Sequence, residues 1–190
     1  MTQALLVMDV QEGIVARYAD DGDGLLDRLA AAVQAARSAD VPVMFVRVAF
    51  RPGFPEVSPN NKSFSAITAS AGDSFSADSG GAAIHAKVAP QSDEPVITKK
   101  RVSAFAGSDL EVILRSRGVD HLVLTGIATS GVVLSTLREA ADRDYRLTVL
   151  SDGCGDRDDE VHRVLLEKVF PRQADVVTVD QWVGSLTAPS

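Results

Sequence analysis

Thiols are nearly absent from this chain. Its one cysteine stands at position 154, and it has three histidines. A single cysteine excludes an internal disulfide and fits a reducing compartment. His85, His121 and His162 show no metal-ligand spacing to one another or to Cys154, so neither a metal nor any other cofactor is expected. Positive charge is scarce too: 19 Lys and Arg face 26 Asp and Glu, a net charge of -7. With no basic stripe to neutralise phosphates, nucleic acid and anionic membrane surfaces are excluded as partners. Long apolar runs are also missing. The run Ala4-Leu5-Leu6-Val7-Met8 stops at Asp9 and follows no basic leader, so it reads as neither a signal peptide nor a membrane span. The expectation is a cytoplasmic protein acting on a small molecule.

What is present is an ordinary globular composition, 45% apolar and 24% charged over 190 residues, enough for one domain spanning 1–190. Short apolar runs alternate with helical patterns. Gln3 to Met8, Val43 to Val48, Val96 to Thr98, His121 to Thr125, Leu147 to Leu150 and Ala174 to Val179 read as strands. Between them, Gly24 to Ala39 carries Leu25, Leu26, Leu29, Ala32, Val33 and Ala36 at helical spacing. Ser108 to Arg117 reads as a helix with a Ser108/Glu111 capping box, ended by Gly118. A helix capped by Thr129 or Ser130 runs to Arg143, and another runs from Asp158 or Asp159 to Val169, stopped by Pro171. Trp182 and Phe170 read as packing anchors, and Leu186 to Ser190 as a frayed tail. Residues 50–94 lack a long period, but Phe50, Phe54, Phe64 and Phe75 argue for an ordered segment with a binding, lid or oligomer-contact role. Strands separated by helices imply a parallel sheet covered on both faces, an α/β fold.

In such sheets ligands bind beyond the carboxyl ends of the strands. Three chemical features fall there: Asp9, Lys99, and the turn Gly126-Ile127-Ala128-Thr129-Ser130-Gly131-Val132-Val133. A carboxylate at a strand end is costly unless paired, and Lys99 is its natural partner. That pair reads equally as a structural bridge or as an acid–base centre. The ammonium lowers the carboxyl pKa, whereas an apolar pocket raises it, and the two favour opposite roles. The turn offers backbone N–H groups to an anion, or is a plain strand-to-helix connection. Arg51 and Arg101 flank the expected pocket, either as carboxylate clamps or as solvated surface residues. Cys154 lies among acidic neighbours, which weaken a thiol nucleophile, and reads as structural.

LLVMDVQEG, VITKKRVSAFAGSDLE, LVLTGIATSGVVLSTLREAADRDY and LTVLSDGCGD occur in this order and cover most of the chain. In these motifs the chain resembles the isochorismatase-like (cysteine) hydrolases. The resemblance implies a three-layer α/β/α sandwich around a six-stranded parallel sheet of order 3-2-1-4-5-6. It places Asp9 and Lys99, not Lys100, on the family's catalytic Asp and Lys, and it implies a cis peptide at Ile127–Ala128. It also places Val132 where amidase members carry their nucleophilic Cys. The expected substrate-binding set is Gln11, Phe50, Arg51, Arg101, Phe105, Ile127, Ala128, Thr129, Gly131 and Val132. Members without the Cys hydrolyse a vinyl ether with the Asp as acid, and family members commonly form homo-oligomers.

Three functional readings follow. The first is a hydrolase of a small, in one form anionic, molecule that cleaves a vinyl-ether or related C–O/C–N bond through Asp9 without a thiol. The second is an inactive family member that binds a ligand or assembles with partners. The third, an aspartyl-nucleophile phosphohydrolase, lacks its second acid, since Gln11 stands there. A dinucleotide-binding domain is weaker still, because Asp9-Val10-Gln11-Glu12-Gly13 is not a Gly-rich turn.

Overall fold

The apolar runs assemble into one sheet. In the computed structural model, which describes residues 2–18 and 24–186, six strands lie in the order β3-β2-β1-β4-β5-β6. They are β1 (Gln3–Met8), β2 (Val43–Val48), β3 (Val96–Lys99), β4 (His121–Ile127), β5 (Arg146–Gly155) and β6 (Asp175–Val177). Every pairing is parallel. This is the expected fold and strand order. The helices are α1 (Glu12–Tyr18), α2 (Leu25–Ser38), α3 (Lys62–Ala71), α4 (Leu110–Ser116), α5 (Leu134–Asp142), α6 (Asp159–Val164) and α7 (Val179–Leu186).

Strand side chains alternate between faces, and the two faces bury different helices. Leu5 and Val7 of β1 join Leu26, Leu29 and Val33 of α2, Ile14 of α1, Phe64 of α3 and Trp182 of α7. Ala4, Leu6 and Met8 join Leu110 and Leu114 of α4, Leu137 and Ala140 of α5, and Phe170. The result is a three-layer sandwich whose central strands are apolar on both sides. Trp182 and Phe170 are buried, as expected of anchors.

Several local expectations are corrected. The helix from Ser108 has Asp109 at its N-cap position, with no side-chain capping bond. Ser108 accepts from the Leu110 amide at 3.2 Å and donates its hydroxyl to the Ala104 carbonyl at 2.6 Å, while Glu111 pairs with Arg115 at 2.7 Å, so no capping box forms. The helix expected from Thr129 begins with a wide π turn, Thr129–Val133, before α5. Strand β5 runs on to Gly155, and β6 ends at Val177 because Val179 opens α7, a helix the sequence reading did not separate. Asp158 does cap α6, accepting from the Glu160 and Val161 amides at 3.0 Å. Residues 187–190 of the expected tail lie outside the described residues.

The segment 50–94 is ordered, as its aromatics suggested. It contains α3 and short 3-10 turns at Gly72–Phe75, Gly80–Ala82 and Ala86–Val88. Phe50 packs edge-on against Phe54 and Phe64, at centroid distances of 6.0 and 5.5 Å. No helix among the described residues is long and apolar enough to cross a membrane.

Candidate active site

The carboxyl ends of β1, β3 and β4 converge on one cavity of about 300 Å³, at the small end of ligand sites. Asp9 leaves β1 with φ 57, a left-handed conformation that Asp adopts more readily than most residues. Its amide remains in the sheet, donating to the Val46 carbonyl at 2.8 Å. The turn thus directs the carboxyl group to the strand end, where it is buried and lines the cavity.

Lys99, the last residue of β3, is 1% exposed and reaches Asp9 Oδ2 at 2.9 Å. Its Nζ also donates to the carbonyls of Arg101 and Val102, at 2.9 and 3.0 Å. Those three contacts occupy the three donors of an ammonium. Asp9 is less well served: its Oδ1 is buried and has no hydrogen-bond partner. Burial pushes the Asp9 carboxyl above the usual carboxylate range, outweighing the opposing pull of Lys99. Of the two effects left open by the sequence, desolvation wins.

Strand β4 forms the floor. Gly126 has φ 133, and a Cβ there would lie 2.0 Å from the Met8 carbonyl oxygen, so only glycine lets β4 pass this close to β1. The Ile127–Ala128 peptide that follows is cis. Ile127, Ala128, Gly131 and Val132 line the cavity beside Asp9 and Lys99. The turn does not present a free row of amides. Gly131 and Val133 donate to the Ala128 carbonyl at 3.0 and 3.3 Å, and Ser130 donates to Asp156 Oδ2 at 2.7 Å.

The remaining expected binding residues do not line this cavity. Gln11 is fully buried; its amide donates to the Val48 and Ala82 carbonyls at 3.0 and 3.2 Å and accepts from the Val48 amide at 2.8 Å. Phe50 belongs to the aromatic cluster of the 50–94 segment. Arg51 turns outward to Glu56 at 2.7 Å. Arg101 folds back on the Lys100 carbonyl at 2.6 Å, and only its own carbonyl serves the site, through Lys99. Phe105 packs against Tyr145 under Arg143. Thr129 points its hydroxyl at His162 Nδ1, 2.8 Å away. Lys100 lies apart from the cavity, 3.9 Å from Glu56.

Other lining residues were not anticipated: Ile14, Arg17 and Tyr18 from α1, Ser63, Phe64, Ile67 and Ser70 from α3, with Val48, Phe75, Val102 and Arg157. Their signal was present at short range. Ile14 and Tyr18 stand four apart, as do Ser63 and Ile67, the spacing of one helical face. Cys154 is not among the lining residues. It is buried in the core beyond β4, and burial, more than its acidic neighbours, pushes its thiol up to about 12. Among the described residues, no His, Cys, Asp and Glu cluster could hold a metal ion.

Residues 3–181 match the family model described as the isochorismatase domain. The chain belongs to the isochorismatase family. Among its relatives is the uncharacterized isochorismatase family protein YwoC of Bacillus subtilis, 31% identical, with 95% of this chain and 92% of YwoC covered. A ureidoacrylate amidohydrolase, RutB of Methylobacterium radiotolerans, is 32% identical over 98% of this chain and 78% of its own length. An isochorismatase family protein from Burkholderia thailandensis has been solved. It matches with a TM-score of 0.84 at 30% identity, covering 98% of this chain and 96% of that one. The isochorismatase assignment accounts for the sheet order, and it makes the cavity at β1, β3 and β4 the place to look for chemistry.

Proposed function

We propose that this protein is a hydrolase of a small molecule in which Asp9 moves a proton and no covalent enzyme intermediate forms. The observation that carries this reading is the state of Asp9. One oxygen is held by Lys99 at 2.9 Å, while the other is buried, unpartnered and beside the cavity. Burial favours the protonated acid, which can be spent on a substrate. Val132 lines the floor and offers no nucleophile, and the buried thiol of Cys154 is inert at neutral pH.

The reaction that suits such a site is hydrolysis of an enol ether or a related C–O or C–N bond. Asp9 Oδ1 gives its proton to the enol-ether carbon, and the C=C electron pair forms the new C–H bond. Water adds to the resulting oxocarbenium ion, and the proton it loses returns to Asp9. The hemiketal then collapses to an alcohol and a carbonyl product. Lys99 stabilises the transient carboxylate without changing its own bonds to Arg101 and Val102. RutB, a ureidoacrylate amidohydrolase, supports testing C–N substrates alongside vinyl ethers.

Asn at position 9 keeps the shape of the neutral acid and tolerates φ 57. Asp9→Asn should therefore melt within a few degrees of wild type yet lose at least about 10²-fold in kcat on whichever of the vinyl ethers, ureido acids and amides is turned over. Because the acid form is the active one, kcat/KM should fall as pH rises through the elevated Asp9 pKa. Full activity in the Asn variant, or a rate that climbs through that range, refutes the mechanism.

A further inference from the structure

Lys99 holds Asp9 by one oxygen, and two carbonyls hold Lys99. Those carbonyls belong to Arg101 and Val102, in a segment, 100–107, that is neither helix nor strand. With no ladder to brace them, they are only as fixed as the segment itself. The segment closes on itself: the Lys100 amide donates to the Ala106 carbonyl and the Ala106 amide to the Ser103 carbonyl, each at 3.2 Å. Gly107 permits that closure, with φ 73 and no room for a Cβ, which would lie 2.9 Å from Lys100 Cβ. The Ser103 hydroxyl accepts from the Phe105 amide at 3.3 Å. These bonds are internal and would travel with the segment, and the Lys100 side chain, which donates to the Ala49 carbonyl, is a flexible tether at its first residue. The apex is anchored differently. Buried Ala104 donates its N–H to Thr136 Oγ1 at 2.9 Å, across 32 positions of chain. Thr136 is fully buried on α5, four positions past Val132, so the helix that follows the floor also grips the segment. Valine would fill the same space, so packing alone does not call for a hydroxyl here.

We infer that Thr136 is a positioning residue of this site: by fixing the Ala104 amide it keeps the Arg101 and Val102 carbonyls on the Lys99 ammonium, and so fixes the contact of Lys99 with Asp9. Thr136 is not among the residues that line the cavity. The inference rests on Asp9 and Lys99 being the working pair proposed above. Removing the hydroxyl leaves a buried amide without its acceptor, a costly state that the segment relieves by shifting. The ammonium then loses carbonyls that stabilise its charge. Held less firmly, it pulls less on the Asp9 proton, and the Asp9 pKa rises further.

The test reads the pair directly and needs no substrate. The Asp9 carboxyl and the Lys99 ammonium are followed by carbon and nitrogen NMR against pH in wild type, Thr136→Val, Thr136→Ser and Gly107→Ala, with melting curves to verify folding. The other charged side chains lining the cavity, Arg17 and Arg157, are the same in all four. Thr136→Val should move the Asp9 midpoint up by about 0.5 pH unit or more and speed exchange of the Lys99 ammonium protons. Thr136→Ser, which restores the acceptor, should titrate like wild type; a purely space-filling role would predict the reverse order, since valine fills the site better than serine. Gly107→Ala opens the same segment from its other end and should also move the midpoint up; it decides the case if Thr136→Val does not fold. A midpoint that stays or falls in the deciding variant, or a Ser variant displaced as far as the Val variant, overturns the inference. Its failure is separable from that of the mechanism. Full activity in Asp9→Asn would refute the acid role and leave the midpoints standing, whereas unmoved midpoints would remove Thr136 and leave Asp9 as the acid.

Discussion

At the scale of single residues, the site turns on how two neighbouring groups divide their bonds. Lys99 has every donor engaged, whereas Asp9 has one oxygen engaged and one idle. The asymmetry gives the carboxyl an orientation, while burial raises its pKa. Sequence reading located both residues because each ends an apolar strand. It could not settle the ionisation, which depends on how deeply the third dimension buries the group. The same limit applies to the floor. Spacing placed Val132 in the turn, and the fold adds that Cys154, 22 positions further along the chain, faces the core instead. A thiol moved to the floor should behave differently from the native one. Val132→Cys should be alkylated by iodoacetamide in the folded state at pH 8, while wild type, with its thiol buried and raised to about 12, should stay unmodified until unfolded. Mass spectrometry reads both. Rapid native labelling of Cys154 would contradict the burial on which the thiol-free mechanism depends.

At the scale of elements, the strands were legible, and of the helices α1, α3 and α7 were not. Buried parallel strands announce themselves as unbroken apolar runs, and all six were visible. Helix α1 was hidden because its seven residues follow directly on the Asp9 turn and carry only Ile14 and Val15 as buried residues. The Ser108/Glu111 box failed because Glu111 pairs with Arg115, while the Ser108 hydroxyl donates back to the Ala104 carbonyl and still accepts from the Leu110 amide. Gln11 shows what a chain position cannot convey. Two residues past Asp9, it looks like a ligand contact, but its amide ties β2 to the Ala82 turn instead. Gln11→Ala should strand the Val48 amide and two carbonyls in a buried place, costing about 2–4 kcal/mol in chemical denaturation. A loss under about 0.5 kcal/mol would return Gln11 to the list of ligand contacts.

At the scale of the molecule, one edge of the sheet holds the candidate site while the two faces supply stability. Strands β1 and β4 sit at the centre, each paired on both sides, and each is apolar toward both helical layers. The 50–94 segment, which adds Ser63, Phe64, Ile67, Ser70 and Phe75 to the cavity wall, forms no strand of the sheet; the isolated bridge Gln11–Ile84 links it to the turn after β1, and the bridge Phe50–Ser76 lies within the segment. Amide exchange should therefore be slowest in β1 and β4 and open the 50–94 segment as a separate, less stable unit. In Gln11→Ala that segment should lose protection before β1 does. Simultaneous exchange of the two regions would mean that the wall and the sheet form one cooperative unit.

The left-handed turn at position 9 restricts more than the direction of a side chain. Only Asp, Asn and Gly take φ 57 at little cost. A saturation library screened for solubility alone should thus recover few residues besides these, whatever their chemistry. Glutamate, the obvious acidic substitute, is disfavoured by the main chain before any question of reach arises. Selection for activity then has only two well-tolerated alternatives to reject, so the acid at this position can persist through long neutral drift.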